Sequence, residues 1–130
     1  MTYLLDASTC IRYLNGRSES IRRRVESTDA GELALCSIVK AELLYGAFKS
    51  ARPDSNLARL ARFFEGFVSF PCDDAAAEVY GEVRARLERR GLPIGPNDLF
   101  IAAIANDATL VTHNVDEFSR LERLRWEDWE

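Results

Sequence analysis

Short, largely apolar runs alternate with longer stretches of helical spacing along this chain, and that alternation restricts its fold more than any other feature. Tyr3-Leu4-Leu5, Leu33-Ala34-Leu35, Phe67-Val68-Ser69-Phe70 and Thr109-Leu110-Val111-Thr112 read as strands. Between them, Leu57, Leu60, Ala61 and Phe64 recur at helical spacing, as do Ala76, Val79, Tyr80, Val83 and Leu87. Strands separated by helices pair in parallel through right-handed crossovers. Apolar strands suit such a sheet because helices cover both its faces. The expected class is therefore α/β.

Punctuation residues set the boundaries. Asp6 or Ser8 caps the first helix and Asn15-Gly16 ends it. A second helix spans about Glu19 to Glu26. Ser37 caps a third that runs to about Phe48, and Pro53 prevents its continuation. Asp54 or Ser55 opens the next. Asp73 begins a long helix that Gly91 stops, and Pro96 is the first residue of a helix reaching about Asn106. Leu124-Arg125-Trp126 is expected as a final edge strand. With no linker, repeat or low-complexity tract, residues 1–130 are expected to form one domain.

Composition narrows the function classes. Net charge is -4, from 21 acidic and 17 basic residues, which argues against a general nucleic-acid coat protein but not against an RNA enzyme. Only two of the 17 basic residues are lysines, Lys40 and Lys49, and arginine is the better bidentate partner for phosphate. Cys10, Cys36 and Cys72 are odd in number, widely spaced and form no CxxC, so neither a zinc site nor a disulfide framework is expected. A cytoplasmic setting fits. No apolar run approaches the ~20 residues of a membrane span, so no membrane partner is expected. Neither GxxxxGK[ST] nor GxGxxG occurs, which leaves nucleotide-cofactor binding without support.

Four acids lie where the chain changes structural habit: Asp6 after the first strand, Glu42 inside the third helix, Asp98 in the first turn after Pro96, and Glu117 after the Thr109–Thr112 strand. In open α/β sheets, ligands bind beyond the carboxyl ends of the strands. Carboxylates converging there can hold Mg²⁺ or Mn²⁺ without Cys or His ligands. Each acid also has a plainer reading. Asp6 makes a good helix cap, a role compatible with a metal on its other oxygen. Glu42 has Ile38, Val39, Tyr45 and Gly46 one turn away, which is not a typical solvated face. Gly46 costs about 1 kcal/mol in a helix, and close packing of another backbone would offset that. Asp98 heads the apolar stripe Ile101, Ala102 and Ala105, and the helix dipole there favours its ionised form. Asn114, Asp116 and Glu117 compete for the fourth place, and Phe118 would anchor Glu117. His113, the one histidine, lacks a triad partner and reads as structural or exposed. Arg22, Arg23, Arg24, Arg84, Arg86, Arg89 and Arg90 read mainly as solvated helix faces, some able to touch an RNA backbone.

Taken in order, Leu5-Asp6-Ala7-Ser8, Ser37 to Gly46, Ile94-Gly95-Pro96-Asn97-Asp98-Leu99-Phe100-Ile101-Ala102 and Leu110 to Phe118 resemble the PIN-domain ribonucleases, and among them the VapC toxins of bacterial toxin–antitoxin modules. The closing Trp126-Glu127-Asp128-Trp129 also looks like the end of VapC chains. The resemblance covers nearly the whole chain. It implies a PIN-like three-layer α/β/α sandwich with a short, mainly parallel central sheet of four to five strands. Asp6, Glu42 and Asp98 fall on the family's metal-site acids. Its variable fourth position falls on Glu117, or earlier on Asn114. Ala7 and Ser8 depart from the Thr and Asn of many relatives, beside Asp6.

The implied activity is Mg²⁺- or Mn²⁺-dependent hydrolysis of RNA phosphodiester bonds, in transfer or ribosomal RNA. The implied partners are a second copy of the chain and a VapB-like antitoxin. The antitoxin would place an Arg or Lys in the acidic groove, and operator DNA would be reached only through it. Two other readings stand beside this one. A non-catalytic module of the same fold would bind RNA or protein without metal-dependent turnover. A receiver-like phosphoacceptor pocket would need a Lys after a late strand, and none is present.

Overall fold

A computed structural model describes residues 1–130. The strands are β1 (Tyr3–Leu5), β2 (Leu33–Cys36), β3 (Val68–Phe70), β4 (Thr109–Val111) and β5 (Arg125–Glu127). The helices are α1 (Ala7–Leu14), α2 (Glu19–Ser27), α3 (Ser37–Phe48), α4 (Pro53–Glu65), α5 (Asp74–Arg89), α6 (Pro96–Ala105) and α7 (Val115–Phe118), with a 3-10 turn at Ala30–Glu32. The five strands form one sheet in the order β3-β2-β1-β4-β5, every pair parallel. Helices cover both faces, which answers the expectation of a three-layer α/β/α sandwich.

Burial follows from that layering. Leu4, Leu5, Ala34, Leu35, Cys36, Leu110 and Val111 are fully buried, so the three inner strands are apolar on both faces. Helices α1, α2 and α4 present amphipathic stripes to this core through Cys10, Ile21, Val25 and Leu60. No helix is long and apolar enough to cross a membrane.

The strand order matters most for function. From β1 the chain winds outward through β2 to β3, then returns to the opposite side of β1 for β4 and β5. The winding reverses between β1 and β4, and a crevice opens there at the carboxyl ends. Backbone pairing runs one residue past each strand. The Asp6 N–H donates to the Val111 carbonyl at 3.0 Å, and the Thr112 N–H to that of Glu127 at 3.0 Å. Asp6 and Thr112 are thus held by the sheet at the crevice floor.

Several boundaries differ from expectation. Cys36, not Ser37, takes the N-cap position of α3, without a side-chain cap bond. Pro53 opens α4 at its first position rather than merely ending α3, because its fixed φ and missing N–H suit a first turn. The final strand is shifted by one residue, to Arg125–Glu127. The short helix α7 was not expected. Gly46 is not closely packed: a Cβ there would meet nothing within 4 Å.

The C-terminal segment closes the structure. Trp129 is 2% exposed, lies 5.2 Å from the Tyr3 ring and carries the Arg24 guanidinium 4.6 Å above its own ring. Its carbonyl accepts from the Ser20 hydroxyl, and Arg12 pairs with Glu130. Trp129→Ala removes a buried aromatic and is expected to lower stability by about 3 kcal/mol. The check is the urea midpoint at unchanged m-value.

Candidate active site

Asp6 leaves β1 and immediately caps α1. Its Oδ1 accepts from the Thr9 N–H at 2.9 Å and from the Ser8 hydroxyl at 3.1 Å. Its Oδ2 accepts from the Thr112 hydroxyl. The carboxylate is 5% exposed, so these partners offset its loss of water. Of the two expected cap candidates Asp6 takes the position, and Ser8, inside α1, donates to it.

Thr112 sits at the end of β4 and is fully buried. While donating to Asp6, its Oγ1 accepts from the Asn114 N–H at 2.9 Å. The Asn114 side chain donates from Nδ2 to Asp98 Oδ2 at 3.2 Å. Asp6, Thr112, Asn114 and Asp98 therefore form one hydrogen-bonded path across the crevice. Asn114 is half-buried, and here it orients an acid rather than standing in for one.

Asp98 is the third residue of α6, behind Pro96. The helix dipole was expected to keep it ionised. It is ionised at neutral pH, but its pKa is raised rather than lowered, from 3.8 to about 6. Burial contributes most, followed by the hydrogen bond that protonated Asp98 can donate to Glu117 and the charge of Glu117, then the charges of Glu42 and Asp6. A helix end contributes about 1 kcal/mol at most in ordinary settings, and desolvation with three neighbouring carboxylates outweighs it. Glu117 is near enough for its charge to oppose ionisation of Asp98.

Glu117 is brought there by α7, whose buried Phe118 anchors the turn. Its Oε2 is buried without a hydrogen-bond partner. Glu42 approaches from α3, half-buried between Val39 and Leu43, which face the core. Its Oε1 is likewise buried and unpartnered, and burial, then the charge of Asp6, raises its pKa. None of the four acids forms an ion pair with Lys, Arg or His.

The remaining candidates lie apart. Asp116 is exposed, and its recorded role is to accept from the Ser119 hydroxyl through its backbone carbonyl. His113 is exposed, and its Nδ1 lies 2.8 Å from Asp128 Oδ2, a contact that raises its pKa. Arg22 is tied to Glu19 and Glu26, and Arg24 to Glu127, in line with solvated faces. The residue that sequence reading passed over is Thr112. Its signal was a hydroxyl ending an otherwise apolar strand, two residues before an Asn.

Known proteins resemble this chain in sequence and fold. The PIN domain family profile matches residues 3–124. Ribonuclease VapC2 of Rickettsia felis is 39% identical over 133 residues, covering 100% of this chain and 99% of that protein. The tRNA(fMet)-specific endonuclease VapC of Salmonella typhimurium is 38% identical over 131 residues, covering 99% and 98%. Among solved structures, VapBC2 from Rickettsia felis bound to a promoter DNA fragment superposes with TM-score 0.92 at 37% identity, covering 100% of both chains. DNA-bound VapBC from Salmonella typhimurium gives TM-score 0.93 at 37% identity, covering 100% and 99%. The family profile over residues 3–124 and full-length relatives at 38–39% identity place this chain in the PIN-domain family, among the VapC ribonucleases.

Proposed function

We propose that this chain is the toxic endoribonuclease of a toxin–antitoxin module. It would hydrolyse RNA phosphodiester bonds with Mg²⁺ or Mn²⁺ held by Asp6 and Asp98, with Glu42 and Glu117 as further or water-mediated ligands. The observation that carries this reading is a group of four carboxylates, one buried and three half-buried, with no cationic partner and two buried, orphaned oxygens, Glu42 Oε1 and Glu117 Oε2. Buried acceptors without partners are costly, and a hard divalent cation is what an all-oxygen donor set takes. The carboxylates do not close into a ready three-ligand cage. That suits Mg²⁺, which keeps several waters and uses one or two carboxylates.

When bound, the cation would lower the pKa of water and neutralise charge on the phosphate oxygens. The chain's own groups prepare the site. Thr9, Ser8 and Thr112 fix the Asp6 carboxylate, and Asn114 fixes one oxygen of Asp98. Below about pH 6 Asp98 holds a proton, which must leave before it can ligate. Transfer RNA is the favoured substrate class, since two relatives are named as tRNA(fMet)-specific endonucleases. The neighbouring VapBC complexes support control by a VapB-like antitoxin, through which operator DNA would be contacted. A homodimer and a cytoplasmic location complete the reading.

The test is incubation of purified protein with transfer RNA and Mg²⁺ or Mn²⁺, with and without EDTA. Cleavage that needs the cation supports the reading; binding without turnover favours a non-catalytic module. Thr112→Val keeps the strand's shape but frees Asp6 Oδ2, and is expected to cost 10- to 100-fold in cleavage rate, as loss of a ligand's supporting bond does. Cation titration of the variant checks this, because apparent affinity should fall with rate.

A further inference from the structure

A second feature shares helix α6 with Asp98 but is lined by none of the four acids. Helices α5 and α6 run antiparallel: Tyr80 stacks on Phe100 at 3.9 Å, and Ala76 lies near Ile104. The C-terminal turn of α5 therefore sits next to the first turn of α6, which carries Asp98. Two contacts bind the α7–β5 connection to this end. Arg120 Nη1 donates to the Pro93 carbonyl at 2.6 Å, and Arg90 pairs with Glu122 at 3.5 Å. Between these pieces opens a cleft of about 190 Å³, floored by Val83, Leu99, Ala102 and Leu121 and rimmed by Arg86 and Arg123. Leu99 directly follows Asp98.

On this surface Arg84 is engaged by Glu88 and Arg90 by Glu122. Arg86, Arg89 and Arg123 have no acidic partner and are exposed. Free guanidinium groups beside a strongly acidic crevice provide the positive field that a polyanion approaching that crevice needs. An apolar floor beneath the guanidinium planes of Arg86 and Arg123, with Glu82 and Asn106 at its edge, has the chemistry that stacks and hydrogen-bonds an unstacked nucleobase.

Resting on the ribonuclease reading above, we infer that this cleft is a nucleotide subsite. Arg86 and Arg123 hold backbone phosphates of single-stranded RNA next to the scissile bond, and one extruded base lies on the Leu99–Leu121 floor. The cleft thus selects looped or unpaired RNA over duplex.

The experiment compares wild type, the Arg86→Ala/Arg123→Ala double variant and, as control, a variant of the exposed Arg17 between α1 and α2, Arg17→Ala, on a single-stranded RNA substrate with Mn²⁺. The double variant is expected to raise KM about tenfold with kcat within about twofold, and to lower the salt slope of RNA affinity by about 1.4, or ~0.7 per lost phosphate contact. Arg17→Ala should match wild type. In parallel, RNA carrying a photoreactive uridine next to the scissile bond should cross-link to the Leu121–Leu124 segment. If wild type cleaves but the double variant keeps its KM and salt slope, the subsite is overturned while the ribonuclease reading stands. If the double variant instead changes oligomeric state by light scattering with KM unaltered, the cleft is an interface between copies and the inference is wrong. If wild type cleaves no RNA, the underlying reading itself fails.

Discussion

Asp98→Asn is expected to abolish RNA cleavage, by more than about 100-fold, and yet to melt a few degrees above wild type. The loss follows from removing a central carboxylate, since weakening only the support of a ligand already costs 10- to 100-fold. The gain has a separate cause. Asp98 is ionised at neutral pH although burial and the charges of Glu117, Glu42 and Asp6 all oppose it. A shift from 3.8 to about 6 corresponds to at most about 3 kcal/mol. The side chain is only partly buried, so solvent screening reduces this to roughly 1 kcal/mol. The neutral amide keeps the acceptor oxygen for Asn114 and escapes the repulsion. A gain of that size raises the melting temperature of a chain this long by about 3–5 °C. Activity and stability then move in opposite directions, as at sites that store strain for function. Calorimetry of both proteins without divalent cations decides it, and a lower melting temperature for the variant would sink the account.

The second large effect is the reversal by divalent cations of how stability depends on pH. Without metal, the folded chain binds a proton at Asp98 up to about pH 6, whereas the unfolded chain releases it near 3.8. Between those values the folded state holds more protons, so stability rises as pH falls. His113 acts in the same sense at higher pH. Its folded pKa is raised by Asp128, so its contribution is full below 6.5 and lost as pH rises through the folded value. Metal-free protein should therefore melt higher at pH 5.5 than at pH 7.5. Mn²⁺ at about 100 times its Kd adds about 2.7 kcal/mol at pH 7.5. It must displace the Asp98 proton, so apparent affinity should fall up to tenfold per unit below pH 6. Cleavage should fall with it. Titration calorimetry in two buffers of different ionisation enthalpy would reveal the released proton. Equal stabilisation of wild type and Asp98→Asn by Mn²⁺ would remove these acids from the metal site.

These two effects share one cause, the crowding of carboxylates around Asp98, and its sign was not legible in the sequence. First-turn position at α6 pointed to an ionised group, because a helix dipole can be read from local order. Burial and three charges arriving from β1, α3 and α7 cannot be read that way. Glu117 shows the same limit. It was one of three candidates, and α7 turned it inward while leaving Asp116 exposed. Gly46 was misread for a related reason: the cost of a helical glycine is local, but what stands opposite it is not, and nothing does. Thr112 was hidden because a terminal strand hydroxyl acquires meaning only once β1 lies beside β4.

By itself the order of residues determined the class of fold and most element boundaries, since apolar run length, helical spacing and Pro or Gly stops act over a few residues. It also determined which acids stood at strand and helix ends. The tertiary structure decided that β4 returns to the far side of β1, which opens the crevice between Asp6 and Thr112. It also decided which oxygens are partnered, which are orphaned and where Asp98 titrates. Electrostatic energy and desolvation depend on distance through space between groups as far apart in sequence as Asp6 and Thr112, 106 residues, and local sequence carries no measure of that distance.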